Sequence, residues 1–293
     1  MTKSIEQFTE ILQRNVSLAG LTWLRTGGVA DYLVKPRTEA ELLAVVAACR
    51  ADSLPIHVLG SGSNLMVREA GVRGVVVQIA PPLLSEIRVE GTTVHAGSGA
   101  LLSAVITEAT RAGLGGMEHL VGIPGTLGGA VVGNSGGRTG DIGQIVRSVR
   151  VLTQANEVAV RSGDELSFSY RRSSFQDLVL LSAELSLHRD DTDELMKRMR
   201  QNWIMKRSTQ PLADQSAGCI FRNPRGLSAG ALIEQCGLKN ASVGKARVSD
   251  RHANFIVTES GATSTDVEML IERIQSAVAA KFSVELELEI QVW

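Results

Sequence analysis

Residues 122–137 read GIPGTLGGAVVGNSGG, with glycine at seven of sixteen positions. Glycine at that density marks main chain that needs φ > 0 or very close approach to another atom, both of which a Cβ forbids. The stretch lies in a wider field that includes GSGSNLMV (60–67) and GSGALL (97–102). Of the 29 glycines, residues 60–143 hold 19, residues 1–59 hold 3 and residues 144–293 hold 7. There is no G-x-y period and there are only 7 prolines, which excludes collagen. Leu59, Leu65, Val67, Ile79, Val94, Leu120 and Ile123 interleave with the glycines, which argues against a disordered linker. Glycine turns beside strands suggest phosphate cradles, because main-chain N–H groups point freely at an anion where no Cβ intrudes. The specific nucleotide motifs fail, however. GSGSNL and GSGALL both place leucine where a Rossmann fingerprint needs its third small residue. Gly244-Lys245 is followed by Ala246 where a P-loop needs Ser or Thr. From the glycines alone, a nucleotide site and a scaffold of tight hairpins both stay open.

The rest of the composition is that of an ordinary globular protein. The 293 residues are 44% hydrophobic and 21% charged, and this length suggests two domains. Thirty basic and 31 acidic side chains leave a net charge of −1, so no basic excess points to nucleic acid or an anionic membrane as partner. The cysteines, Cys49, Cys219 and Cys236, form no CxxC and no metal pattern, and read as reduced thiols of a cytoplasmic protein. The opening MTKSIEQFTEILQRNV has no apolar core of a signal peptide, and no run approaches 18 apolar residues.

Periodicity sets the coarse organisation. Ile5, Phe8, Leu12 and Val16 fall near helical spacing at the N-terminus. Thr38 and Glu41 form a capping-box pattern ahead of a second helix. PIHVL (55–59), VRGVVVQIA (72–80) and TTVHAG (92–97) read as strands, and 100–113 as a helix stopped by Gly113 and Gly115. Strands follow in VRSVRVLT, EVAVRS and DLVLLSAELSLH, then a helix over 192–208. A domain boundary fits near 190, at the polar HRDDTD. Beyond it come a helix at 229–237, a strand at 253–258, a helix from about 266 to 282 capped by Thr265 and Glu268, and a closing strand VELELEIQVW. The alternation of strands and helices excludes an all-β fold.

In combination the blocks are far more specific than any one alone. TWLRTGGVADYLVKP (22–36), GSGSNLMV, GIPGTLGGAVVGNSGG, FSYRRSSF (168–175), QSAGCIFRNP (215–224), AGALIEQCGLK (229–239), VSDRHANFIV (248–257) and ELELEI (285–290) occur in the order found in the UDP-N-acetylenolpyruvoylglucosamine reductase (MurB) family, which the chain resembles from about residue 20 to its end. The resemblance implies an α+β fold. A two-lobed FAD-binding domain of the vanillyl-alcohol-oxidase/PCMH type spans 1–190, with lobes of roughly 1–80 and 81–190. A smaller α+β substrate-binding domain spans 191–293. It implies an FAD enzyme that takes electrons from NADPH and reduces the enolpyruvyl ether of a UDP-sugar to the lactyl ether, in cytoplasmic peptidoglycan precursor synthesis. No obligate protein partner and no metal follow from it.

The resemblance also assigns roles. Gly60, Ser61, Gly62, Ser63, Asn64 and Leu65, then Pro124, Gly125, Thr126, Gly128 and Gly129, with Asn134, are the expected cofactor contacts. Tyr170, Arg171, Arg222 and Asn223 are the expected substrate contacts. Arg171 matches the family's catalytic arginine, whose guanidinium fork suits a carboxylate that gains charge. If Arg171 and Arg172 lie on a strand they point to opposite faces, and Arg172 is the surface cation. Periodicity alone makes Glu285, Glu287 and Glu289 one solvated face; only the match to the family singles out Glu289, as the acid that hydrogen-bonds the substrate carboxylate or enolate. Cys219 stands where most of the family has serine as proton donor. A thiol, with a reference pKa of roughly 8.5, is a better acid than an alkyl hydroxyl, so the exchange is chemically compatible. Arg222 replaces a usual lysine, and His252 reads equally as a structural residue or a ligand. The chain's two tyrosines are Tyr32 and Tyr170, and Arg171 and Cys219 are 48 positions apart, which matches the short branch that lacks a lid tyrosine. The rival readings are a sugar or hydroxy-acid oxidase of the same superfamily and a non-catalytic flavin or UDP-sugar binding module.

Overall fold

The structure, a computed structural model, describes residues 4–137 and 139–293. By their contacts the residues form two compact units, Met1–Gln13 with Tyr32–Ser61 and Gly74–Met205, and Arg14–Asp31 with Gly62–Arg73 and Lys206–Trp293. No helix among the described residues is long and apolar enough to cross a membrane.

The first unit holds two cores. A four-stranded sheet has the order Leu12–Ser17, Val29–Val34, Val72–Gln78, Ile56–Leu59. Helix α1 (Glu39–Ala51) buries Leu42, Val45, Val46 and Cys49 in the core that also holds Val75 and Val77. A five-stranded antiparallel sheet has the order Val158–Ser162, Val146–Leu152, Val179–Ser186, Thr93–Gly97, Ile87–Glu90. Its central strand supplies Val179 and Leu181 to the first core and Leu180, Ala183 and Leu185 to the second. That double burial is why the run VLL shows no polar alternation. Helix α2 (Leu102–Arg111) packs on the second core through Leu102, Val105, Ile106 and Ala109, an i, i+3, i+4, i+7 face.

The second unit is built on a four-stranded antiparallel sheet, ordered Gln215–Cys219, Phe255–Thr258, Ala246–Val248, Ser242–Val243. After helices α3 (Leu127–Val132) and α4 (Thr192–Thr209), helices α5 (Ala229–Gln235) and α6 (Ser264–Phe282) bury Leu232, Ile233, Val267, Leu270, Ile271, Ile274 and Val278 in one core.

Three expectations change. The N-terminal residues form one 3-10 turn, Ser4–Gln7, and then the strand Leu12–Ser17, not a helix. The near-fourfold apolar spacing arises because Ile5 and Phe8 cover α1 while Leu12 joins the edge of a sheet, and Asn15 at φ 51 breaks any helical run. Helix α6 starts two residues early. Thr263 and Asp266 make the capping box, and Thr265 is drawn instead to the carboxylate of Glu69. The closing VELELEIQVW is strand only at Gln291–Val292, with an isolated bridge at Leu288.

Glu69 holds the start of α6 by accepting from the N–H and Oγ–H of both Ser264 and Thr265. Burial works against its charge, but the hydrogen bonds from Ser264 and Thr265 outweigh it and bring the carboxyl below its ordinary value of 4.5. A lowered carboxyl contributes stability above its unfolded pKa and loses it as pH falls through the folded value. Glu69→Gln should therefore lower the Tm at pH 7 by about 2–4 °C. Melting curves across pH 7 to 3 should show this gap closing below pH 4.5, the ordinary value.

Candidate active site

In the first unit the glycine turns meet one another. Helix α3 (Leu127–Val132) is capped by Thr126, whose Oγ accepts from Gly129 N–H at 3.4 Å. Leu127 N–H donates to Ala100 O at 2.8 Å, Gly128 N–H to Ser98 O at 2.8 Å, and Leu102 N–H to Gly125 O at 3.0 Å. Segments 98–102 and 125–128 are thus zipped together. A Cβ on Gly128 would lie 2.9 Å from Ser98 Cβ, and one on Gly60 would lie 2.8 Å from Thr126 Oγ1. These two glycines are required by packing of one turn on another. Gly129 is different, since a Cβ there would meet only Thr126 Oγ1, at 3.7 Å. Ser98 is buried at this junction and its Oγ has no partner. Ser98 stands outside the cofactor contacts expected from sequence, although its Gly-Ser-Gly repeats the Gly-Ser-Gly of 60–62.

Tyr170 and Arg171 are the two turn residues of a tight hairpin between Phe168–Ser169 and Arg172–Ser173. Strand alternation therefore does not separate Arg171 from Arg172. Arg171 has φ 57, a left-handed conformation that a non-glycine residue holds at some cost, and such outliers gather at functional sites. Its Nη2 donates to Gly136 O at 2.9 Å and its guanidinium carbon lies 5.3 Å from the centroid of the Tyr170 ring. Asn134, itself at φ 43 and buried, secures the hairpin. Its Nδ2 donates to Ser169 O at 2.8 Å and its Oδ1 accepts from Gly143 N–H at 3.0 Å. Ser173 Oγ donates to Val132 O at 2.6 Å. Expected as a cofactor contact, Asn134 has both ends of its amide on main chain. Of the two tyrosines, Tyr170 is exposed on this turn and Tyr32 Oη donates to Glu6 at 3.1 Å.

In the second unit, Gly62 has φ 63, and a Cβ there would fall 2.0 Å from Leu21 O. Ser63 follows on the same turn and Leu65 is buried in a strand, Leu65–Met66, that pairs in parallel with Gln291–Val292. Asn64 Nδ2 donates to Glu289 O at 3.2 Å, and Asn64 O accepts from Gln291 N–H at 3.0 Å. Residues 220–222 run antiparallel to 287–289: Phe221 bridges Leu288, Arg222 N–H donates to Glu287 O at 2.9 Å, and Glu289 N–H donates to Ile220 O at 2.8 Å. Cys219, half-buried, ends the strand just before this ladder. So Cys219, Arg222 and Glu289 lie on two neighbouring hydrogen-bonded segments. Burial now separates the three acids: Glu285 and Glu287 are exposed and Glu289 is half-buried.

Arg222 pairs with Glu287 at 3.3 Å, while its Nε is buried without a partner. Asn223 Oδ1 accepts from Ala229 N–H at 2.9 Å and so holds the start of α5. His252 has a structural place. Its Nδ1 accepts from Asn254 N–H at 3.2 Å, its ring meets Phe255 edge-on at 4.9 Å, and burial, helped by Lys239, lowers its pKa.

Removing the Asn134 amide takes its bonds away from Ser169 C=O and Gly143 N–H and unties the hairpin from the residues after α3. Asn134→Ala should cost about 1–3 kcal/mol, read from urea denaturation. Hydrogen exchange should quicken across residues 168–173, and unchanged exchange there would mean that the hairpin is held by other contacts.

The chain is similar to known proteins over most of its length. Residues 210–293 match the family model of the UDP-N-acetylenolpyruvoylglucosamine reductase C-terminal domain, and residues 30–162 match that of an FAD binding domain. The UDP-N-acetylenolpyruvoylglucosamine reductase of Moorella thermoacetica is 42% identical over 273 residues, 93% of this chain and 89% of the relative. UDP-N-acetylenolpyruvoylglucosamine reductase 2 of Symbiobacterium thermophilum is 40% identical over 96% of this chain and 92% of its own. The crystal structure of the Thermus caldophilus reductase superposes with a TM-score of 0.82 at 36% identity, covering 96% of this chain and 98% of that one. A glucose dehydrogenase, Phl p 4.0202, shares the fold alone, with a TM-score of 0.52 at 16% identity over 65% of this chain and 44% of its own. The α+β architecture expected from sequence, an FAD-binding domain of the PCMH type followed by a C-terminal domain, is the one found. The chain belongs to the UDP-N-acetylenolpyruvoylglucosamine reductase (MurB) family, a family of FAD-dependent oxidoreductases.

Proposed function

We propose that this protein reduces UDP-N-acetylglucosamine enolpyruvate to UDP-N-acetylmuramate, with NADPH as electron source, in cytoplasmic peptidoglycan precursor synthesis. The observation that carries the reading is the ladder of the second unit, which sets Cys219 and Glu289 on adjacent segments. Residues 1–190 are the FAD-binding domain of this reading and residues 191–293 the substrate-binding domain, the first also supplying Tyr170 and Arg171 to the substrate.

The residues of the first unit suit a flavin nucleotide. Ser98 Oγ is an unpaired buried donor at the meeting of the glycine turns, and Gly129 leaves its side open. Gly60, Ser61, Pro124, Gly125, Thr126, Gly128 and Gly129 would hold the group there. The cofactor roles of Gly62, Ser63, Asn64 and Leu65 belong to the same proposal. When bound, FAD supplies the hydride. The protein must then grip a carboxylate that gains negative charge and must deliver one proton.

Arg171 grips the carboxylate. It is already positioned by Gly136 O, which spares the cost of ordering a long side chain at the moment of reaction. Tyr170 and Asn223 assist binding, and Arg222 offers charge from a mostly buried side chain. Glu289 donates a hydrogen bond to the carboxylate or enolate oxygen in its protonated form. Cys219 Sγ–H gives its proton to the carbon beside the carboxylate.

The purified protein should be yellow, or become so with FAD. NADPH should bleach it without oxygen, and the enolpyruvyl sugar should restore the colour. A protein that cannot be loaded with FAD would end this reading. Cys219→Ser should retain substantial turnover. Cys219→Ala should lose about 10²–10⁴-fold in kcat, with NADPH still bleaching the flavin at the wild-type rate. Wild-type turnover by the alanine variant would remove Cys219 from the proton-donor role.

A further inference from the structure

We infer that Asn254 is the positioning residue for Cys219: its buried side-chain amide replaces a missing strand and fixes the main chain next to the proton donor. The inference rests on the proton-donor reading of Cys219 given above.

The strand Gln215–Cys219 pairs with Phe255–Thr258 in a register that slips. Gln215 faces Thr258 and Ser216 faces Val257, but Cys219 faces Phe255, with one residue extra between Ser216 and Cys219. Gly218, at φ 76, takes up that bulge. A bulge re-aims the side chains beside it, and here the next side chain is Cys219. Beyond the bulge the partner strand runs out. The chain turns at His252–Phe255, where Phe255 N–H donates back to His252 O at 2.9 Å. Ile220 N–H still reaches Asn254 O at 2.8 Å, but Phe221 has no facing backbone on that side.

Asn254 fills the gap with its side chain. Oδ1 accepts from Phe221 N–H at 3.0 Å, and Nδ2 donates to Phe221 O at 2.7 Å. The two bonds copy the donor-acceptor pair of an antiparallel neighbour. Asn254 and Phe221 are 2% and 1% exposed, so no water stands in for either bond. Only a primary amide of this length supplies both partners: aspartate lacks the donor, and glutamine is one methylene too long. Asn254 N–H is itself held by His252 Nδ1 at 3.2 Å. The opposite edge of residues 220–222 is held by 287–289. Without the Asn254 amide, the segment would keep 287–289 on one flank and the Ile220 bond on the other, and Phe221, two residues past Cys219, would lose both of its partners there.

The test uses the flavoprotein with Cys236→Ser. Cys49 is buried and its thiol is pushed up to about 12, so the half-buried Cys219 is left as the thiol open to iodoacetamide. Asn254→Ser and Asn254→Asp are each made in that background. The inference expects the alkylation rate of Cys219 and its pH profile to change several-fold. It also expects kcat for the enolpyruvyl sugar to fall by about 10²-fold, the usual effect of a displacement near 1 Å. KM and the rate of flavin reduction by NADPH should stay at wild-type values. Wild-type alkylation and wild-type kcat in both variants would overturn it, as would equal losses in flavin reduction and turnover. If neither variant folds, the wild-type protein decides: the Phe221 amide should exchange as slowly as that of Ile220, and fast exchange overturns the inference. If the parent protein fails to turn over the enolpyruvyl sugar, the proposed function falls, while the alkylation comparison still judges the link from Asn254 to Cys219.

Discussion

Contact of main chain with main chain, closer than any Cβ permits, is the constraint on which both units depend. A side chain on Gly128 would strike Ser98, and one on Gly62 would strike the carbonyl of Leu21. In the first unit this closeness lets segments 98–102 and 125–128 exchange hydrogen bonds and leaves the buried Ser98 hydroxyl facing their junction. The glycine field therefore has two jobs. Most of the positions resolved here are used to bring loops together, and Gly129 keeps space open.

Where main chain cannot reach main chain, asparagine takes over. Asn134 ties the Tyr170–Arg171 turn to the residues after α3. Asn64 joins its turn to the carbonyl of Glu289, Asn223 holds the start of α5, and Asn254 completes the edge of the Cys219 segment. The amide suits these positions because it carries a donor and an acceptor on a short, uncharged stem, and at the two buried ones, Asn134 and Asn254, both are bonded. The residues of the proposed chemistry, by contrast, stay partly open: Arg171 on a turn, Cys219 at a strand end, Glu289 on a segment of isolated bonds.

Much of the fold was legible because its elements are locally consistent. Thr38 caps α1 as its pattern predicts, with Glu41 held chiefly by Arg37. The strands at 56–59, 72–78, 146–152 and 179–186 follow the apolar runs. What failed, failed for tertiary reasons. The N-terminal spacing looked helical because two different partners bury it, and the α6 cap moved because Glu69, 195 positions away from Ser264, competes for the same first turn. The Tyr170–Arg171 pair looked like strand because its flanking residues are strand.

The sequence by itself determined the residue types, their order and hence the family, because eight short blocks in a given order constrain identity more tightly than any single motif. It also carried the choice of Arg171, Cys219 and Glu289 as candidates, through that resemblance. Only the tertiary structure decided which of the acids at 285, 287 and 289 is shielded, which asparagines spend their amides on scaffold, and that a bulge at Gly218 with a clamp from Asn254 flanks Cys219. The physical reason is that burial and hydrogen-bond partnership are set by residues distant in sequence. A period of two reports which side chains share a face, and it does not report what covers that face.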